Sequence, residues 1–351
     1  MAVRRHRART LITGVLAALA LSTVLLSVEA GPAAATAPPT VNRPDAAAGW
    51  LARQLVDGER FEVVFDGVAY PDQGLTIDGI FAFAAAKVAD TNAAKATAWL
   101  ARPEILTGYI GDGTEAYAGA TAKLALAVQV RGGNPAAFGG VDLIARLRGL
   151  QSASGRFSDR SAFGDYSNQF TQALALITLS RTAGGAPASG AAYLAGARCA
   201  DGGYPLYFGQ PACVSDVDAT ALAVQALLAA HRPSDAAPAI AWLISVQHAD
   251  GSFADGSGTV NANSTGLAAQ ALAAAGRPLV WLKARSFLLT LQVRCAGPAT
   301  NRGAIAYTSA GFDPATAVRA TAQAVPGLTG GGLATLSAAG SKPAAPVLAC
   351  P

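Results

Sequence analysis

Ten polar residues stand at or near the starts of Ala- and Leu-rich helical stretches, and these are the positions from which this chain could do chemistry. They are Asp78, Tyr117, Asn168, Gln169, Asp216, Asp218, Asn261, Asn263, Asp313 and Arg319. Gathered round one opening, they would make a polar rim over an apolar pocket, the usual anatomy of a small-molecule site. Taken one by one, the Asp and Asn residues are also those that helix caps prefer. The sharpest constellation is Asp216-Val217-Asp218-Ala219-Thr220-Ala221, which sets two carboxyls close together at one helix start. Other chemistries find less support. His231 precedes Arg232-Pro233 and complements a helix C-terminus, while His248 lies in a turn. Neither comes with the glycine pattern of a nucleophile elbow, so a Ser-His-Asp hydrolase is not expected. Polysaccharide cleavage needs a carboxylate pair, and the glutamates Glu59, Glu62, Glu104 and Glu115 all fall in the first two repeats.

Four cysteines in an exported chain point to disulfides. Cys199 and Cys213 bracket one loop, and Cys295 can pin Cys350, the penultimate residue. That pairing is expected over the two other connectivities. Zinc would need close paired spacing, which is missing, so neither metal nor cofactor is expected.

Export is read from the first 35 residues. Arg4, Arg5, Arg7 and Arg9 precede an apolar run from Leu11 to Val28, and small-residue cleavage sites follow at Val28-Glu29-Ala30 and Ala33-Ala34-Ala35. The pattern predicts a general secretory signal peptide and an extracellular protein. The leader carries away four arginines and one glutamate, leaving 22 of 26 basic and 21 of 22 acidic residues. A near-neutral mature chain gives no footing to a nucleic-acid partner. Its apolar runs are broken by Gly or Pro well short of the roughly 20 residues of a membrane span.

The elements that must position these groups show themselves as a repeat. An aromatic residue or its stand-in precedes leucine at Trp50-Leu51, Trp99-Leu100, Arg146-Leu147, Tyr193-Leu194, Trp242-Leu243 and Phe287-Leu288, with spacings of 49, 47, 47, 49 and 45. So long a period is one supersecondary unit. Second helices, beginning near Asp78, Thr121, Thr171, Thr220, Thr265 and Thr321, run in phase with it. In the fifth repeat, Ser234-Asp235 is the expected cap of the first helix, and Asn263-Ser264 leads into the second. Turns such as Gln151-Ser-Ala-Ser-Gly155-Arg-Phe157 and Gln247-His-Ala-Asp-Gly251-Ser-Phe253 join the two. The glycine frees the turn, the aromatic packs back on the helix pair, and the glutamine bonds backbone groups at a helix end. Phe61 to Tyr70 breaks the repeat and reads as a β-hairpin with an Asp66-Gly67 turn. The domains are thus a signal peptide (1–35), a Pro/Ala-rich linker (36–43), a repeat domain (44–326) and a Gly/Ala/Pro-rich tail (327–351).

The pattern aromatic-Leu-x3-Gln-x3-Gly-x-aromatic resembles the QW motif of squalene and hopene cyclases. The paired helices resemble the α/α toroid shared by terpenoid cyclases, protein prenyltransferase β subunits and vitamin B12 carriers. That resemblance implies an all-α, closed α6/α6 toroid whose alternate helices line a central cavity. Asp216-x-Asp218-Ala-Thr-Ala resembles the Asp-x-Asp-Asp-Thr-Ala signature of class II terpene cyclases, in which the middle aspartic acid protonates an alkene or epoxide. Asp218 matches that residue, and Ala219 replaces the last acid. Such an acid must be kept protonated in a dry cavity. The expected function is an exported, monomeric toroid that binds an apolar small molecule (isoprenoid, lipid or corrinoid-like) without transforming it. The alternatives are a terpenoid-cyclase-like enzyme using Asp218, and a secreted module that recognises a protein or wall polymer.

Overall fold

Each leucine of the six dyads is fully buried, on the first helix of a pair, in a computed structural model that describes residues 37–351. The leader expected over residues 1–35 lies outside the described residues. The pairs are α1 (Arg43–Ala52) with α2 (Gln73–Ala86), and α3 (Asp90–Leu100), extended by α4 (Pro103–Ile110), with α5 (Ala118–Val130). Then come α6 (Leu143–Arg148) with α7 (Gln169–Ser180), α8 (Ala188–Gly196) with α9 (Val217–Ala229), α10 (Pro233–Val246) with α11 (Ala262–Ala274), and α12 (Pro278–Thr290) with α13 (Pro314–Thr329). The second helices form the inner wall: α2 packs on α5, α5 on α7, α7 on α9, α9 on α11, α11 on α13, and α13 back on α2. The first helices lie outside, and α1 touches both α13 and α2, covering the seam. The architecture is a closed α6/α6 toroid.

One joint is repeated round the ring. Gly155, Gly202, Gly251 and Gly303 all have φ between +92° and +102°. A Cβ on them would lie 2.3 Å from Ser189 O, 3.0 Å from Pro238 O, 2.3 Å from Lys283 O and 2.4 Å from Ala46 O respectively. Each of these carbonyls belongs to the next outer helix, so glycine is required by both conformation and space. Two residues on, Phe157, Tyr204, Phe253 and Ile305 are wholly buried. Their N–H groups donate to side chains of their own inner helix: Gln172 Oε1 at 2.9 Å, then Thr220, Thr265 and Thr321 Oγ1 at 2.8, 3.0 and 2.9 Å. The motif glutamines complete the joint. Gln247 donates to Gly251 O at 3.1 Å and Val280 O at 3.0 Å, and Gln292 donates to Gly303 O at 3.0 Å and Arg43 O at 2.9 Å. Gly303 and Gln292 therefore join the sixth repeat to the first as the others join neighbours.

Local corrections are small. The fifth outer helix starts earlier than its sequence suggested: Arg232 is the residue before it and Pro233 occupies its first turn, so Ser234-Asp235 lies inside the helix. Asn261 caps α11, placing Asn263-Ser264 within it. The second repeat carries α4, which no dyad announced. The hairpin is present as β2 (Glu62–Phe65) antiparallel to β3 (Val68–Pro71), with Asp66 and Gly67 both at positive φ.

Beyond α13 the chain covers the end of the ring where inner helices finish. Arg181, at the end of α7, donates to the carbonyls of Leu333, Ala334 and Leu336 at 2.9, 3.0 and 2.9 Å. Gln225 of α9 accepts from Leu333 N at 2.9 Å, and Ala338 N donates to Val130 O at the end of α5 at 2.7 Å. The last strand, β4 (Val347–Leu348), pairs in parallel with β1 (Pro39–Thr40). Disulfides join Cys199 to Cys213 and Cys295 to Cys350. No helix among the described residues is long and apolar enough to cross a membrane.

Candidate functional site at the lumen and its mouth

The inner wall encloses a cavity of about 120 Å³ to which all six inner helices contribute. Its apolar surface comes from Phe81, Phe170, Leu174, Leu222, Leu267, Ala322 and Pro326, and Leu333 of the C-terminal segment reaches it as well. Four polar side chains interrupt this surface: Asp78, Lys123, Gln270 and Gln323. Asp78 and Lys123 meet at 2.6 Å across neighbouring helices, and Lys123 also donates to Gly74 O at 3.0 Å. Part of the narrowness has a simple cause. A Cβ on Gly266 would lie 2.4 Å from Gln323 O, so the backbones of α11 and α13 touch and draw the wall inward.

The ten sequence candidates separate into four groups. Asn168, Asp216, Asn261 and Asp313 are helix caps, each accepting from a backbone N–H in the first turn. Asp78 and Arg319 are ion-paired, the latter to Asp72 at 2.8 Å. Tyr117 precedes α5 without a side-chain cap; Asp159 instead accepts from Ala118 N at 2.7 Å. The remaining three have buried polar atoms without partners among the described residues: both amide atoms of Gln169, Asp218 Oδ1 and Asn263 Oδ1. Capping therefore does not account for Asp218, because Asp216 already fills that place.

Asp218 and Asn263 precede the lumen-lining Leu222 and Leu267 by four residues, which sets them on the same helical faces one turn nearer the mouth. Burial pushes the Asp218 carboxyl up to about 6. The Ser264 hydroxyl on α11 offsets part of that rise, and the negative charges of Asp216 and Asp255 add to it. Ser264 Oγ nevertheless closes no hydrogen bond of normal geometry. Asp255 differs. Burial works against its charge, yet the Ser257 hydroxyl, the Thr259 and Ser257 N–H groups and the Tyr307 hydroxyl together hold its carboxyl below the usual carboxylate range. Asp218 and Asp255 thus lie near enough for their charges to interact, and their carboxyls are pushed in opposite directions. Among the described residues, no group of three or more His, Cys, Asp or Glu could hold a metal ion.

Sequence reasoning missed Lys123, Gln270, Gln323, Asp255 and Tyr307. The first three lie in mid-helix, where their only signal was polarity within an apolar run; the last two lie in loops. Other connections leading into inner helices display apolar side chains: Phe163 and Tyr166 before α7, Tyr207 before α9, and Phe65 and Tyr70 before α2 are all exposed.

Solved structures share this architecture. The type II terpene cyclase MstE from Scytonema matches at 17% identity over 82% of this chain and 97% of that chain, with a TM-score of 0.59. It has also been solved with geranylgeranyl dihydroxybenzoate as substrate and merosterolic acid A as product. A protein from Actinoplanes matches at 15% identity over 82% and 98%, with a TM-score of 0.58. The unsaturated glucuronyl hydrolase of Bacillus sp. GL1 matches at 13% over 82% and 95%, with a TM-score of 0.57. The shared fold is the α/α toroid. At these identities the likeness is one of fold, and it joins enzymes of unrelated chemistry. No family model matches the sequence, and no curated protein matches it.

Proposed function

We propose that the mature chain is an exported toroid that takes up an apolar small molecule of isoprenoid or lipid character, end first, and releases it unchanged. The observation that carries this reading is the lumen: walls that are mainly apolar, with a volume of about 120 Å³. Ordinary ligand pockets start near 300 Å³. A cyclisation chamber must enfold its whole substrate chain; this one takes only a tip, and the exposed aromatics of the mouth loops suit the rest. The isoprenoid substrate of the terpene cyclase of like fold supports the ligand class. The two disulfides accord with an exported chain.

The test is retention. Mature protein is equilibrated with farnesol or geranylgeraniol, re-isolated, denatured, and its contents separated by chromatography. The expected result is the unchanged alcohol in the wild type, with about tenfold less in Leu222→Trp, whose indole fills the lumen. Equal retention by the two proteins would refute the lumen as the site.

One observation favours a second reading. Asp218 is not a cap, has an oxygen unpartnered among the described residues and has its carboxyl raised to about 6, as a general acid would. Under that reading, wild type yields a new isomer with altered retention time and Asp218→Asn yields none. Against it stand Ala219 in place of the last acid and a carboxyl still mostly ionised at pH 7.

A further inference from the structure

The polar groups of the lumen exceed what an apolar holder requires. Gln270 is buried in the wall with Oε1 unpartnered among the described residues. Asp78, also buried, accepts from Lys123 through Oδ1 and has Oδ2 unpartnered among the described residues. Both side chains belong to the same cavity, entering from α11 and α2 on either side of α13. Buried acceptors left unmatched destabilise a fold unless something binds them. The chemistry of the missing group can be deduced. Lys123 is already neutralised by Asp78, so no anion is called for, and an anion would face the Asp78 carboxylate. Asp78 can only accept, whereas the Gln270 amide can accept or donate according to how it is turned. A hydroxyl matches this pair, since it donates once and accepts as well. Size is set by comparison: a dry cavity of about 150 Å³ takes benzene, so the present 120 Å³ takes about five carbons.

Resting on the reading that the lumen receives the tip of an apolar ligand, we infer that this tip is a neutral alcohol on a five-carbon unit. Its hydroxyl lies against Asp78 and Gln270, and its methyl groups lie against Leu222 and Leu267.

The experiment titrates three probes of one skeleton into the full mature chain at pH 7: 3-methyl-2-buten-1-ol, 2-methyl-2-butene and the 3-methyl-2-butenoate anion. Binding is followed by ligand-observed magnetic resonance. The expected result is an alcohol bound about tenfold more tightly than either of the others. In Gln270→Leu that preference shrinks to about twofold, while thermal stability holds or rises because a buried amide is gone. Leu222→Trp abolishes binding of all three. If Gln270→Leu does not fold, Gln270→Met serves for the same comparison, and the wild-type ranking decides by itself. A hydrocarbon bound as tightly as the alcohol would overturn the inference and leave the apolar-lumen reading intact. No binding of any probe, or binding that persists in Leu222→Trp, would overturn both.

Discussion

Replacing Asp218 by Asn should stabilise this protein at neutral pH, the reverse of what loss of a helix cap would do. The folded carboxyl titrates near 6, against an ordinary value of 3.8. The native state therefore holds a proton that the unfolded chain has already released between about pH 4 and pH 6. Stability falls as pH rises through that window and stays lowered above it. Two pH units at about 1.4 kcal/mol each give roughly 3 kcal/mol, and partial exposure of the side chain brings the expectation to about 2 kcal/mol. Asn keeps the shape and removes the charge. Urea unfolding of wild type and Asp218→Asn from pH 4 to pH 8 should give curves that coincide at the acid end and separate by about 2 kcal/mol above pH 7. At this chain length that is roughly 3–4 °C in melting temperature. A difference that does not vary with pH, or a variant less stable than wild type at pH 7, would refute the argument that burial raises this carboxyl.

Other expectations follow from the same geometry. Asp216→Ala should cost about 1 kcal/mol at pH 7, because it uncaps α9, and should lower the midpoint at which Asp218 titrates. Gly303→Ala should cost several kcal/mol, since it adds a Cβ 2.4 Å from Ala46 O at φ +98°. Gly209→Ala, with φ +72° and nothing within 4 Å, should cost about 1 kcal/mol; chemical unfolding of the two variants compares them directly. Cys350→Ser opens a disulfide of sequence separation 55, worth about 4 kcal/mol by chain entropy. It should release the C-terminal segment to limited proteolysis before the ring itself is cut; simultaneous loss of both would show that the segment and the ring unfold together.

The ring was legible because its joints are local and recur. A leucine dyad returns in each repeat, and in the first and the third to fifth a glycine with an aromatic two or three residues on returns with it, so packing needs leave a periodic trace even where, as at Arg146 or Ile305, one position is substituted. The cysteine pairing was legible from loop spacing. What could not be read was set by contacts between repeats. Asp78 and Lys123 pair from different repeats with no motif at either end. The contact of Gly266 with α13, which narrows the lumen, depends on how two helices cross. The division of labour between Asp216 and Asp218 turned on a helix start displaced by only a few residues from where composition placed it. The C-terminal segment read as low-complexity tail, because Leu333 and Leu336 gain their burial from the ends of α5, α7 and α9 and from Arg181, none of them near in sequence.

If the lumen takes up a ligand as proposed, that segment decides how traffic through the molecule can run. A ring open at both faces can be filled from one side and emptied from the other, so that an arriving molecule drives out the one before it. Here Leu333 stands across the far side of the lumen, anchored by Gln225 and by the Arg181 guanidinium, which donates to three carbonyls of the segment. On that reading the chamber is blind. Whatever enters must back out through the same doorway before another can follow, so exchange is strictly one at a time and its pace is set by departure.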